Sequence, residues 1–169
     1  TRKAQLPSLR IQGVLINLSR ELQLNPTGNL LSGTPIAGSE WIHPSGQKAH
    51  LKVDPVAFYP EGALRKLRFE GELNLPMGQS TVPFATPDRF ANSPYPQELN
   101  PSLYLFPNGQ VERGITLRPV ELETPVARLR LAQGHGRAER TDNSLLVFYP
   151  HGELRLATQA SGTIRWMDN

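Results

Sequence analysis

Apolar positions along the chain come in short runs. Over 111–117, Val111, Ile115 and Leu117 fall on one face of an extended segment, with Glu112, Gly114 and Thr116 on the other. Leu154 and Leu156 alternate with Glu153 and Arg155 in the same way. Segments 103–106, 129–131, 145–149 and 164–166 read as further strands. Over 6–19, the β-branched Ile11, Val14 and Ile16, with Gly13 between them, favour a strand over a helix. No long stretch keeps a clean helical period.

The runs are punctuated by a recurring Pro-x-Gly, with prolines at Pro26, Pro44, Pro60, Pro76, Pro107 and Pro150. The first four of these prolines stand 18, 16 and 16 residues apart. Proline presets φ for the first central position of a type I turn. A glycine two residues later takes the left-handed conformation of a bulged hairpin loop. In such a loop the residue before Pro pairs with the one after Gly. The next pair outward is then Leu24 with Leu30, Ile42 with Lys48, Phe58 with Leu64, Leu105 with Val111 and Phe148 with Leu154. Four of these five pairs are wholly apolar, which suits the buried face of a sheet. Pro76-Met77-Gly78 departs from the rule, since Asn74 and Ser80 would form its outer pair. It predicts a turn of another kind.

These patterns predict a single all-β domain over 1–169, an antiparallel meander of repeated hairpins of about 16 residues each. One hairpin cannot bury its apolar face alone. The meander must therefore twist into a barrel or stack as sheets.

Residues 79–102 interrupt the pattern as an irregular, proline-rich insertion. Pro83, Pro87, Pro94, Pro96 and Pro101 are interleaved there with Phe84, Phe90 and Tyr95. Proline lacks the donor that a central strand needs, so a loop or strap across one face is expected. The aromatics either plug the core or, with Arg89, form a ligand or partner surface. Phe84, Arg89, Phe90 and Tyr95 are the candidate binding residues.

Composition narrows the classes. Among 169 residues, 30 are Pro or Gly without a triplet period, which excludes collagen. Leu, Ile, Val and Phe total 44, enough for a core. Cysteine is absent, which removes disulfides and thiolate chemistry. Secreted, periplasmic and cytoplasmic locations all suit such a chain. No apolar run is long enough for a transmembrane helix. The chain starts at Thr1, which suggests processing or excision from a longer protein. The formal charge is +3, yet residues 1–20 hold Arg2, Lys3, Arg10 and Arg20 with no acid. The body is nearly neutral, so nucleic acid is disfavoured as a partner. The basic 1–20 segment is a candidate arm for a partner or an anionic surface.

Signals for catalysis are sparse. The histidines are His43, His50, His135 and His151, and Asp54 is the candidate further ligand near the first two. Neither a metal site nor a cofactor is predicted. No nucleophile elbow, Walker loop or dinucleotide fingerprint occurs. Glu70 with Glu72, and Glu121 with Glu123, are same-face carboxylate pairs, the minimum for a glycosidase.

Phe58-Tyr59-Pro60-Glu61-Gly62-Ala63-Leu64-Arg65 and Phe148-Tyr149-Pro150-His151-Gly152-Glu153-Leu154-Arg155 closely resemble one another. They are similar to units of bacterial proteins with tandem tyrosine-proline-x-glycine hairpin repeats, distantly MORN-like. The resemblance implies a structural or interaction scaffold and carries over no active residue. The leading expectation is a noncatalytic β-repeat scaffold that binds a protein or surface component. The alternatives are a carbohydrate-directed hydrolase with paired carboxylates, and a β-barrel carrier of an apolar ligand.

Overall fold

A computed structural model describes residues 7–87, 102–125, 127–131, 144–159 and 162–165. It is all-β, built from repeated antiparallel hairpins. The strands fall into four sets of two hairpins. The first set is β1 (Ser8–Ile11), β2 (Val14–Asn17), β3 (Gln23–Leu24) and β4 (Leu30–Gly33). The second is β5 (Glu40–Ile42), β6 (Lys48–His50), β7 (Val56–Phe58) and β8 (Leu64–Leu67). The third is β9 (Glu72–Met77), β10 (Ser80–Ala85), β11 (Leu103–Leu105) and β12 (Val111–Thr116). The fourth is β13 (Val120–Glu123), β14 (Arg128–Leu131), β15 (Ser144–Phe148) and β16 (Leu154–Gln159), followed by β17 (Gly162–Arg165).

The second hairpin of each set lies on the main path of the large sheet, whose order is β3-β4-β7-β8-β11-β12-β15-β16-β17, while of the first hairpins only β9–β10 joins that sheet, through β10 on β12. The repeating unit is thus two hairpins, twice the 16-residue unit expected from proline spacing. The main-sheet path is open, running from β3 to β17.

The Pro-x-Gly loops have the predicted geometry. Tyr59 N donates to Ala63 O and Gly62 N to Tyr59 O, both at 2.8 Å. The same pair of bonds recurs at Asn25, His43, Phe106 and Tyr149. Gly62 and Gly152 both sit at φ +91°, where a side chain would be strained. All five expected outer pairs occur in register. One burial expectation fails, because Leu24 lies at the sheet edge and is 57% exposed.

Past the outer pair, every main-sheet hairpin shifts register. Phe58 faces Leu64 while Ala57 faces Lys66, leaving Arg65 as the extra residue. Leu31, Glu112 and Arg155 are extra at the equivalent places. A bulge of this kind breaks the period of two. The inward residues are therefore spaced by three: Leu30 and Gly33, Leu64 and Leu67, Val111 and Gly114, Leu154 and Ala157, all buried. The alternation expected for Leu154 and Leu156 fails for this reason. The β5–β6 hairpin has no bulge and turns Trp41 and Ala49 inward, leaving Ile42 exposed.

The other hairpins cover the inner face of the main sheet. Leu73, Leu75 and Met77 on β9, and Val120 and Leu122 on β13, alternate with exposed residues. Residues from both layers form one hydrophobic core. In three sets the second strand of the main hairpin returns to pair with the covering hairpin. The pairs are Ile16 with Pro35, Leu51 with Phe69, and Phe84 with Thr116. Pro35, Phe69 and Thr116 each lie five residues beyond Leu30, Leu64 and Val111, so the register of this return is itself repeated.

Two segments differ from expectation. Residues 8–17 form a hairpin and not one strand, because Gln12 and Gly13 both take positive φ, as in a type I′ turn. Residues 80–85, expected as irregular, form β10. Its turn from β9 is a two-residue loop with Gly78 at φ +61°, the different turn that the Pro76 segment predicts. Pro76 and Pro83 are accommodated because β9 pairs only with β10, and β10 meets β12 only at Phe84 and Ala85. Proline on such an edge costs no ladder bond.

Candidate functional site

The bulges decide which side chains reach the outer face of the main sheet. Strand alternation places Ala57, Lys66, Tyr104, Arg113, Val147 and Leu156 opposite the core. Their registers join them into one continuous row across the sheet. All six are half-buried.

The centre of this row is cationic and aromatic. Arg113 Cζ lies 4.0 Å from the centroid of the Tyr104 ring, and Lys66 Nζ lies 5.9 Å from it. Both are cation–π distances. Among the described residues neither cation has a carboxylate or carbonyl partner. The Arg113 Nε is buried and makes no hydrogen bond. Burial lowers the Lys66 pKa, and the neighbouring Arg68 and Arg113 guanidiniums lower it further against the opposing pull of Asp54.

The surrounding charges are engaged in the fold. Arg68 Nη1 meets Asp54 Oδ2 at 2.7 Å, and its Nη2 donates to Pro87 O at 2.9 Å. Lys52 Nζ donates to Thr86 O at 2.6 Å. Nearer the turns, Arg65 and Arg155, the bulge residues of their hairpins, lie 5.6 and 5.7 Å over Tyr59 and Tyr149. The third hairpin replaces this pair by Phe106 and Glu112. Tyr59 Oη donates to Leu105 O at 2.9 Å. Burial and the nearby Glu112 carboxylate raise the Tyr59 pKa.

Of the residues singled out from sequence, Phe84 is 1% exposed and packs edge-on against Phe148 within the core. Arg89, Phe90 and Tyr95 lie outside the described residues. In the N-terminal segment, Arg10 and Arg20 are exposed. Sequence reasoning missed Lys66, Tyr104 and Arg113. The readable signal was the spacing of three after each Pro-x-Gly turn, which reveals the bulge and turns the intervening residues outward.

The other candidate chemistry is dispersed. His50 stands 3.4 Å from Glu40, while Asp54 belongs to Arg68. Glu72 is paired with Arg118 and Glu123 with Arg128. Among the described residues no group of three His, Cys, Asp or Glu side chains is placed to hold a metal. No helix of the described chain is long and apolar enough to cross a membrane. Two shallow depressions of about 300 and 340 Å³ flank β1 and the β1–β2 turn, and among the described residues each is lined by one carboxylate, Glu40 and Glu61.

His43 is buried beside Trp41, with ring centroids 5.5 Å apart. Its Nδ1 accepts from Ser45 N at 3.0 Å, and the ring also bonds the backbone of Gly109. The neutral ring therefore carries its proton on Nε2 and ties the β5–β6 turn to the β11–β12 turn. Burial lowers its pKa below 6.5, outweighing the Gly109 bond. A depressed histidine pKa means that the unfolded chain binds the proton more readily. Stability should therefore fall as pH drops from about 6.5 towards the folded-state pKa, and level off below it. Urea midpoints measured across this range should show the fall in the wild type and a flatter profile in His43→Gln. Parallel profiles would contradict the assignment.

The fold and its outer face define an all-β hairpin-repeat architecture. No protein-family model, curated protein or solved structure matches the chain.

Proposed function

We propose that the protein is a noncatalytic β-repeat scaffold that docks a protein partner on the outer face of its main sheet. The observation that carries this reading is the Lys66–Tyr104–Arg113 centre, where two half-buried cations approach one ring and neither has an ion-pair partner among the described residues. Desolvated like charges raise the energy of the free protein, and a complementary partner relieves that cost. The flanking Ala57, Val147 and Leu156 supply apolar area of the kind found at the core of an interface. Residues Arg89, Phe90 and Tyr95 belong to the same proposal as a second contact. They follow Pro87 in the sequence, and Pro87 O is held by Arg68, two residues from Lys66.

The test is site-directed photo-crosslinking in the native source. A photoreactive residue at Val147 should capture a defined partner, and one at exposed Glu121 on the covering layer should not. Capture at Val147 should also be abolished by Lys66→Met with Arg113→Met. Equal capture from both faces, or capture that ignores the cations, would overturn the reading.

A further inference from the structure

The outer face also specifies what it would hold. Arg113 Cζ lies 4.0 Å from the Tyr104 ring centroid, so the ring covers part of a guanidinium that is only half-buried. Its Nε is buried and has no partner among the described residues, so a bound group would be met by the other guanidinium N–H groups. Lys66 approaches the same ring and carries three donors of its own. Lys66 and Arg113 stand on the strands either side of Tyr104 and both approach its ring, so an oxyanion-bearing segment laid over the ring would meet both, each by a charge-assisted hydrogen bond.

The neighbourhood discriminates between sources of that oxyanion. A nucleic-acid strand needs open aromatic faces and a continuous basic track. Here the rings of Tyr59, Tyr104 and Tyr149 already have Arg65, Arg113 and Arg155 over them, and His151 stacks on Tyr149. Glu61, Glu112 and Glu153 interrupt the positive charge on the same hairpins. The row offers a short cationic centre with Ala57 on one side and Val147 and Leu156 on the other. Acidic residues at the middle of a peptide segment and apolar residues at its ends match the order of charge along that row.

We infer that Lys66 and Arg113, converging on Tyr104, form a carboxylate seat for an acidic peptide segment flanked by apolar residues. This rests on the reading of the outer face as a partner-docking surface.

The test uses the full chain and a fluorescent Leu-Glu-Glu-Leu peptide, followed by anisotropy, with Leu-Gln-Gln-Leu as the neutral control. The acidic peptide should bind, and the neutral one should bind at least about tenfold more weakly. Lys66→Met and Arg113→Met should each weaken binding by about tenfold, and added salt should weaken it in the wild type. In the wild type alone, the acidic peptide should also protect Lys66 Nζ from acetic anhydride, which needs no folded variant. Oligo-dT and inorganic phosphate are competitors. Oligo-dT binding more tightly through the same two residues would overturn the assignment to a peptide, as would displacement of the peptide by phosphate at equal concentration. Binding that is unchanged in both variants would overturn the seat but leave a docking scaffold standing. No peptide binding or Lys66 protection would overturn the seat. Together with crosslinking that ignores the outer face, it would overturn the scaffold reading as well.

Discussion

Gly114→Ala should destabilise the protein by about 1–3 kcal/mol, although it adds only one methyl group. A Cβ at this position would stand 2.5 Å from Phe84 Cδ1 and 2.9 Å from both Phe84 Cε1 and Leu103 Cδ1. The phenyl ring cannot retreat easily. It is enclosed in the core, meets Phe148 edge-on at 6.1 Å, and sits on a strand held by Leu73 and Thr116 on either side. Gly33, the equivalent residue of the first set, would place a Cβ 2.7 Å from Ile16 Cγ2. Where the covering hairpin contributes Ile16 or Phe84, the main-sheet position opposite is thus a glycine. The clash predicts strong coupling. Phe84→Ala alone should cost about 3–5 kcal/mol. Combined with Gly114→Ala it should cost clearly less than the sum, because the added methyl occupies space the ring has left. Urea unfolding of the two single variants and the double variant measures this. Strict additivity would mean that the sheets slide apart to admit the methyl group.

This packing explains why the sequence was legible only in part. Proline and glycine act through their own backbone dihedrals, so the five loops and their outer pairs could be read without any tertiary information. Face assignment beyond those pairs depends on a bulge, and strict alternation would put Arg113 on the buried side with Val111 and Ile115. Strand order was equally hidden, since Lys66 and Arg113 become neighbours only through Tyr104 on the strand between them. The segment from residue 79 read as a loop because Pro83 and the prolines after it cannot serve a central strand. That objection disappears at an edge, and nothing local marks which strand lies at the edge. The candidate site was missed because it consists of residues that are ordinary singly and distinctive only when the register sets them side by side.

Thr86→Val tests how successive sets are joined, and its expected effect is out of proportion to the chemical change. On one side, Arg68 O and Glu70 N pair with Lys52 N and His50 O. In an antiparallel pair, Phe69 between them must then direct its own N–H and C=O the other way. The next element there is the end of β10, where the buried Thr86 hydroxyl accepts from Phe69 N and donates to Phe69 O, both at 2.8 Å. One side chain thus does what a strand would do. Lys52 on Thr86 O and Arg68 on Pro87 O extend the same seam. Valine keeps the shape of threonine and strands both backbone groups. Each buried unsatisfied group costs about 1–3 kcal/mol, so a loss of that order from either group alone would be readily measured. Thr86→Ser keeps the hydroxyl and should retain most of the stability. The Phe69 amide should exchange faster in the valine variant, because its protecting acceptor is gone. If serine were as damaging as valine, the methyl group would be the stabilising element. If valine were harmless, the second and third sets would be held by the β8–β11 ladder, the Lys52 and Arg68 bonds and apolar packing, with nothing owed to the Thr86 hydroxyl.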